Sequence, residues 1–157
     1  MKVVSPEMHD FVKEIGANRI FGVTLLSWFV AQMLKVVLGI FREKRFNFHW
    51  FVGTGGMPSS HAAGVASLAT SVGCVSGFNS PVFAVTSVMA LIIMFDAQGV
   101  RRASGQQAEV LNKIIDDIYL KGEIQEDRLK ELLGHTPVEV IMGALLGIFL
   151  SLLFFNI

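Results

Sequence analysis

Apolar residues run almost unbroken from Ile20 to Phe41 ("IFGVTLLSWFVAQMLKVVLGIF"), from Pro81 to Phe95, and from Val138 to Phe155. A transmembrane helix needs about 20 such residues, and these runs reach or approach that length. A further stretch, Ala62 to Phe78 ("AAGVASLATSVGCVSGF"), is weakly hydrophobic and rich in small residues. That composition predicts a helix packed between other helices rather than one facing lipid. No alternation of period two predicts a strand. The pattern therefore predicts an all-α membrane protein with about four transmembrane helices and additional amphipathic or interfacial ones.

Two segments depart from the apolar runs. Ser5-Pro6 has the form of a helix start, and Met8, Phe11, Val12 and Ile15 follow at helical spacing. Residues 1–19 thus read as an N-terminal amphipathic segment suited to a membrane surface. Residues 98–134 form a polar insert. Leu111, Ile114, Ile115 and Ile118 make one apolar stripe in it, and Leu129, Leu132 and Leu133 another. These predict water-exposed or interfacial helices with one buried face each. The whole chain, 1–157, reads as a single membrane domain.

Four crossings put the 42–58 loop and the insert on one side, and the termini and the 79–80 turn on the other. The first side carries Arg42, Lys44, Arg45 and six more Lys and Arg within the insert, against Lys2, Lys13 and Arg19 on the second. The positive-inside rule assigns the loop side to the cytoplasm.

Composition agrees with a membrane protein. Hydrophobic residues make up 52% and charged residues 17%, where soluble domains have roughly 45–50% and 25%. Formal net charge is zero, so nothing points to nucleic acid as a partner. The single Cys74 excludes an intrachain disulfide and argues against a thiolate zinc site. "MKVVSPEMHD" carries early acids and no apolar run, unlike a secretory signal peptide.

Four places carry polar groups that the helices alone do not require. "GTGGMPSSH" (53–61) sets Gly55, Gly56, Ser59, Ser60 and His61 directly before the small-residue helix. Its plain reading is a serine-capped helix start; its chemical reading is an anion site with a proton-transferring imidazole. In "GHTPVEV" (134–140), His135 and Glu139 are four apart. Either Thr136 and Glu139 form a capping box, or the carboxylate orients the imidazole and raises its basicity. In "DAQGVRRASGQQ" (96–107), Arg101 and Arg102 are either phosphate forks or interfacial anchors, with Asp96 pairing one of them. Lys35 shares a helix face with Gln32, Gly39 and Arg42, and a lysine that deep in a membrane helix usually faces the bundle interior. In a four-helix arrangement Arg42, the "GTGGMPSSH" turn, Arg101, Arg102, Lys130 and His135 all lie on one membrane side. Helix starts near Ser59 and Thr136 would aim positive dipole ends there. A phosphate site fits this set better than a metal centre, because carboxylates are few.

These motifs resemble the divergent branch of the type 2 phosphatidic acid phosphatase (PAP2) superfamily, which is related to acid phosphatases and vanadium haloperoxidases. The resemblance spans about residues 30 to 155. "KVVLGIFR" places Lys35 and Arg42 at the family's K-x6-R spacing, with Glu43 where the family has proline. "PSSH" is similar to P-S-G-H, and "HTPVE" to H-x3-D, with "GALLG" downstream. The S-R element is missing, since Leu129 stands six residues before His135; Lys130, Arg128 or the Arg101/Arg102 pair would replace it.

The resemblance implies a PAP2-like helical bundle and no metal or other cofactor. It implies that His135 attacks phosphorus to form a phosphohistidine, with Glu139 orienting it. His61 would protonate the leaving oxygen and later activate water. Lys35, Arg42 and the arginine pair would hold non-bridging oxygens, helped by N–H groups near Ser60 and His61. Gly55 and Gly56 would let backbone approach the anion. The implied substrate is a lipid phosphate: phosphatidate, phosphatidylglycerol phosphate or polyprenyl (di)phosphate. One chain is small for enclosing such a site, and a homodimer would complete it. The alternatives are a non-catalytic phospholipid-headgroup binder or transport component using the same anion site, and a purely structural membrane protein, against which Lys35 argues.

Overall fold

The computed structural model describes residues 6–44, 56–98, 107–112, 114–115 and 135–156. All regular structure among the described residues is α-helical. The helices are α1 (Pro6–Ala17), α2 (Arg19–Glu43), α3 (Ser60–Ser76), α4 (Pro81–Gln98) and α5 (Pro137–Phe155). Residues 107–112 and 114–115 of the polar insert are helical as well. There Leu111 and Ile114 are exposed, while Ile118 and the leucines at 129, 132 and 133 lie outside the described residues.

Local chemistry accounts for the helix ends. Asn18 caps α2 through its side chain, which accepts from Phe21 N. Ser59 caps α3 by accepting from Ala62 N. Thr136 and Glu139 form a full capping box at α5, with Pro137 in the first turn. Each cap satisfies backbone donors that a helix start leaves without an intrahelical partner.

Among the described residues, three helices are long and apolar enough to cross a membrane: Arg19–Phe41 in α2, Pro81–Gln98 in α4, and Pro137–Phe155 in α5. They turn large apolar side chains outward, among them Phe29, Ile92, Phe95, Phe149 and Leu153. Faces of this kind suit lipid rather than water. The expected fourth crossing, α3, has 17 residues and would rise ~26 Å, just under a ~30 Å hydrocarbon core. It is the inner helix, with Ala62, Ala63, Ala66, Ala69 and Val72 buried.

The packing of α3 on α5 is parallel and close. A Cβ on Gly143 would overlap the carbonyl oxygen of Ser59, and one on Gly147 would overlap that of Ala63. One turn further on, Ser67 and Ser151 are joined through their hydroxyls at 2.8 Å. Glycine at two successive turns lets the backbones touch, as in other small-residue membrane interfaces. By contrast α2 runs antiparallel to α3, because Lys35 lies against Gly56 while Ser27 bonds Ser67. The starts of α3 and α5 and the end of α2 therefore share one end of the bundle. At the opposite end, Arg19 donates to the Phe154 carbonyl at 3.2 Å and stacks over the Phe155 ring.

Deep in the bundle, Ser27, Ser67, Ser71 and Ser151 are fully buried. Ser27 donates to Ser67 Oγ (3.0 Å), Ser71 donates to Ser151 Oγ (3.1 Å), and Ser151 donates to the Ser67 carbonyl (3.0 Å). Four hydroxyls from three helices thereby satisfy one another where no water is available.

Candidate anion site at the histidine pair

At the shared end, the rings of His61 and His135 lie 6.2 Å apart between centroids, tilted by 59°. His61 is the second residue of α3, and His135 immediately precedes the Thr136 cap of α5. The parallel packing of the two helices is what brings their starts together.

Backbone bonds hold the pair in place. The N–H of Ser59 donates to the Glu139 carbonyl at 3.0 Å, tying the start of α3 to the first turn of α5. The N–H of His135 donates to the Ala97 carbonyl at 3.1 Å, tying the same turn to the last turn of α4. Ser59 and His135 are almost wholly buried, at 0% and 2% exposure; His61 is half-buried.

His135 Nδ1–H donates to Glu139 Oε2 at 3.0 Å. The same oxygen accepts from Thr136 N at 3.0 Å, closing the capping box. A carboxylate oxygen can accept both bonds, so capping and histidine orientation, opposed in the sequence, coexist here. With its proton held at Nδ1, His135 keeps the Nε2 lone pair for chemistry.

Lys35 is buried at 7% exposure on the interior face of α2. Gly56, at φ 85°, packs on its stem: an added Cβ would sit 3.3 Å from Lys35 Cγ. Gln32 is buried on the same helix. Ser60 is buried beside Ser59 in the first turn of α3. Asp96 is exposed on the last turn of α4, next to the Ala97 that holds His135.

The other residues singled out in the sequence are not brought to the site by any described geometry. Gly55, Arg101, Arg102 and Lys130 lie outside the described residues, and of Arg42 only its place near the end of α2 is described. Among the described residues, no three His, Cys, Asp or Glu side chains gather as a metal site. Sequence reasoning did not reach the Ser59–Glu139 and His135–Ala97 bonds, which are backbone bonds without a side-chain signature. It also passed over the four serines, which are spread over three apolar runs.

An all-α integral membrane protein with a buried histidine–carboxylate couple facing a second histidine is the class that this fold and site define. The chain belongs to the divergent PAP2 family, whose sequence pattern ("Divergent PAP2 family") matches residues 16–150. It is similar to the "Uncharacterized membrane protein YuiD" of Bacillus subtilis (strain 168), 41% identical over 140 residues that cover 82% of this chain and 89% of that protein. No solved structure matches.

Proposed function

We propose that this protein is a membrane phosphohydrolase that cleaves a lipid phosphate through a phosphohistidine on His135. The observation that carries the reading is the histidine pair, with Glu139 Oε2 on His135 Nδ1 and the His61 ring 6.2 Å away. His135 Nε2 attacks phosphorus as the bond to the leaving oxygen breaks, and His61 delivers a proton to that oxygen. Water then attacks phosphorus, His61 takes its proton, and the N–P bond breaks to release inorganic phosphate. Dividing hydrolysis in this way replaces one difficult step by two easier ones. Lys35 and the positive ends of α3 and α5 stabilise the charge on the transferring group. The substrates that suit a site between membrane helices are phosphatidate, phosphatidylglycerol phosphate and polyprenyl (di)phosphate, presented from the cytoplasmic side.

A second reading, a headgroup-binding protein without turnover, is favoured by one observation: Leu129 stands where the family pattern has its S-R arginine. One experiment separates the two. The purified full chain is reconstituted in phosphatidylcholine vesicles with each lipid phosphate and a chelator, and inorganic phosphate is measured. Turnover that falls by roughly 10²–10⁴-fold in His135→Ala and His61→Ala supports general acid–base and nucleophilic roles. Wild-type turnover in both variants overturns the mechanism. Binding of all three lipids without turnover establishes the second reading.

A further inference from the structure

Among the described residues, nothing in the bundle covers the apolar side of α1 from Asp10 to Ala17. Every described side chain from Asp10 to Ala17 is exposed, including Phe11 at 59%, Val12 at 61% and Ile15 at 43%. These three share one helix face, while Asp10, Lys13 and Glu14 occupy the other. We infer that α1 lies in the lipid–water interface at the membrane face opposite the histidine pair, with Phe11, Val12 and Ile15 in lipid.

Its connection to α2 argues for lipid as the occupant. Only Asn18 separates Ala17 from Arg19, where the first membrane-crossing stretch begins. Two residue steps span at most ~7 Å, so α1 must end near the level of Arg19. That level is the membrane boundary, because Arg19 is a cation bonded to the Phe154 carbonyl at the end of the last crossing. Asn18 is extended, with ψ 96°, so α1 does not continue the axis of α2. Its N–H donates to the Ile15 carbonyl and its side chain accepts from Phe21 N, which fixes the corner from both sides. An amphipathic helix held at that depth places its apolar face in the acyl boundary and its polar face in water.

The polar face also states which lipid surface it fits. Asp10 and Glu14 outnumber Lys13, so anionic headgroups do not attract it, and docking rests on apolar insertion. This separates α1 from basic amphipathic helices, whose binding grows with anionic lipid.

The test uses the full chain in vesicles, in a Cys74→Ser background. Spin labels are placed one at a time through Phe11→Cys, Ile15→Cys, Asp10→Cys and Glu14→Cys. Collision with oxygen, which concentrates in lipid, is compared with collision with a water-soluble nickel chelate. The oxygen-to-nickel ratio is expected to be higher at 11 and 15 than at 10 and 14. The contrast should persist in pure phosphatidylcholine and not grow when phosphatidylglycerol is added. Nickel access at all four positions would show α1 in water and overturn the inference. Exclusion of both reagents at 11 and 15 would show a protein cover, such as a second copy, and overturn it too. A contrast that appears only with phosphatidylglycerol would overturn the lipid preference. None of these outcomes depends on phosphohydrolase activity.

Discussion

Glu139 Oε2 is shared by two donors, the Nδ1–H of His135 and the backbone N–H of Thr136, each at 3.0 Å. One oxygen thereby starts a membrane helix and sets the tautomer of a buried imidazole. The two roles are separable by substitution. A glutamine in place of Glu139 would still cap through its amide oxygen, since Glu and Gln both serve in capping boxes, but it offers His135 a poorer acceptor and no charge. Glu139→Gln therefore keeps the cap but loses the charge at the helix start, and is expected to cost about 1–2 kcal/mol of stability. Phosphate release should nevertheless fall by roughly 10²–10⁴-fold. Turnover and melting measured on the same preparation check this. Equal, small losses in both would leave Glu139 as a cap alone.

Lys35 is a buried cation whose stem runs beneath Gly56. Methionine has a similar stem and no charge, so Lys35→Met should fold. If the ammonium holds a non-bridging oxygen, kcat/KM falls by roughly 10²–10³-fold, the magnitude of one lost transition-state donor. Unchanged turnover per folded protein would show that the Lys35 ammonium does not hold the transferring group. Gly56→Ala tests the neighbour: at φ 85° any Cβ is strained, costing about 1–2 kcal/mol.

The apolar runs located the helices because lipid demands long continuous stretches, and the caps were readable because Ser, Thr and Glu stand at fixed offsets from a helix start. Thus Ser59, Thr136 and Pro137 mark the starts that the structure shows. The nearness of His61 and His135 was harder to read. Four crossings already put both helix starts on one membrane side; their nearness depends on α3 packing directly against α5, and nothing local to "PSSH" or "HTPVE" encodes that. The signal is in Gly143 and Gly147, the two glycines of the "GALLG" that the family resemblance includes, whose role is not readable until their partner is known. The serines at 27, 67, 71 and 151 illustrate the same gap: they are weakly polar residues spread over three apolar runs, and only packing shows that they meet.

Gly143 controls the seating of α3, because its missing side chain leaves room for the Ser59 carbonyl and for Ala62 Cβ, 3.1 Å from the position a Cβ would take. Gly143→Ala forces the backbones apart and is expected to cost about 1–3 kcal/mol, the usual range for overpacking. Gly22, on α2, has nothing within 4 Å of its added Cβ. Gly22→Ala should be neutral or stabilising by up to about 1 kcal/mol. Unfolding of both variants in mixed micelles gives the comparison. A Gly143→Ala protein as stable as Gly22→Ala would mean that the two helices do not pack this closely.

Ser67 joins α2, α3 and α5, since its hydroxyl accepts from Ser27 and bonds Ser151. Ser67→Ala removes the acceptor of a buried hydroxyl, which in general costs about 1–3 kcal/mol. Here the loss should stay near the lower bound. The Val23 carbonyl, within 3.4 Å of Ser67 Oγ, lies one turn before Ser27 on the same helix, and serine readily bonds back to such a carbonyl. Interhelical bonds in membranes are correspondingly weak, averaging about 0.6 kcal/mol. We therefore expect Ser67→Ala to cost about 1 kcal/mol. Thr86→Ala, which removes a hydroxyl bonded only within its own helix, should cost less, and Ser67→Ala with Ser151→Ala less than the sum of the two. Full additivity in that double-mutant cycle, read from unfolding in lipid–detergent mixtures, would show that the four serines do not act as one network.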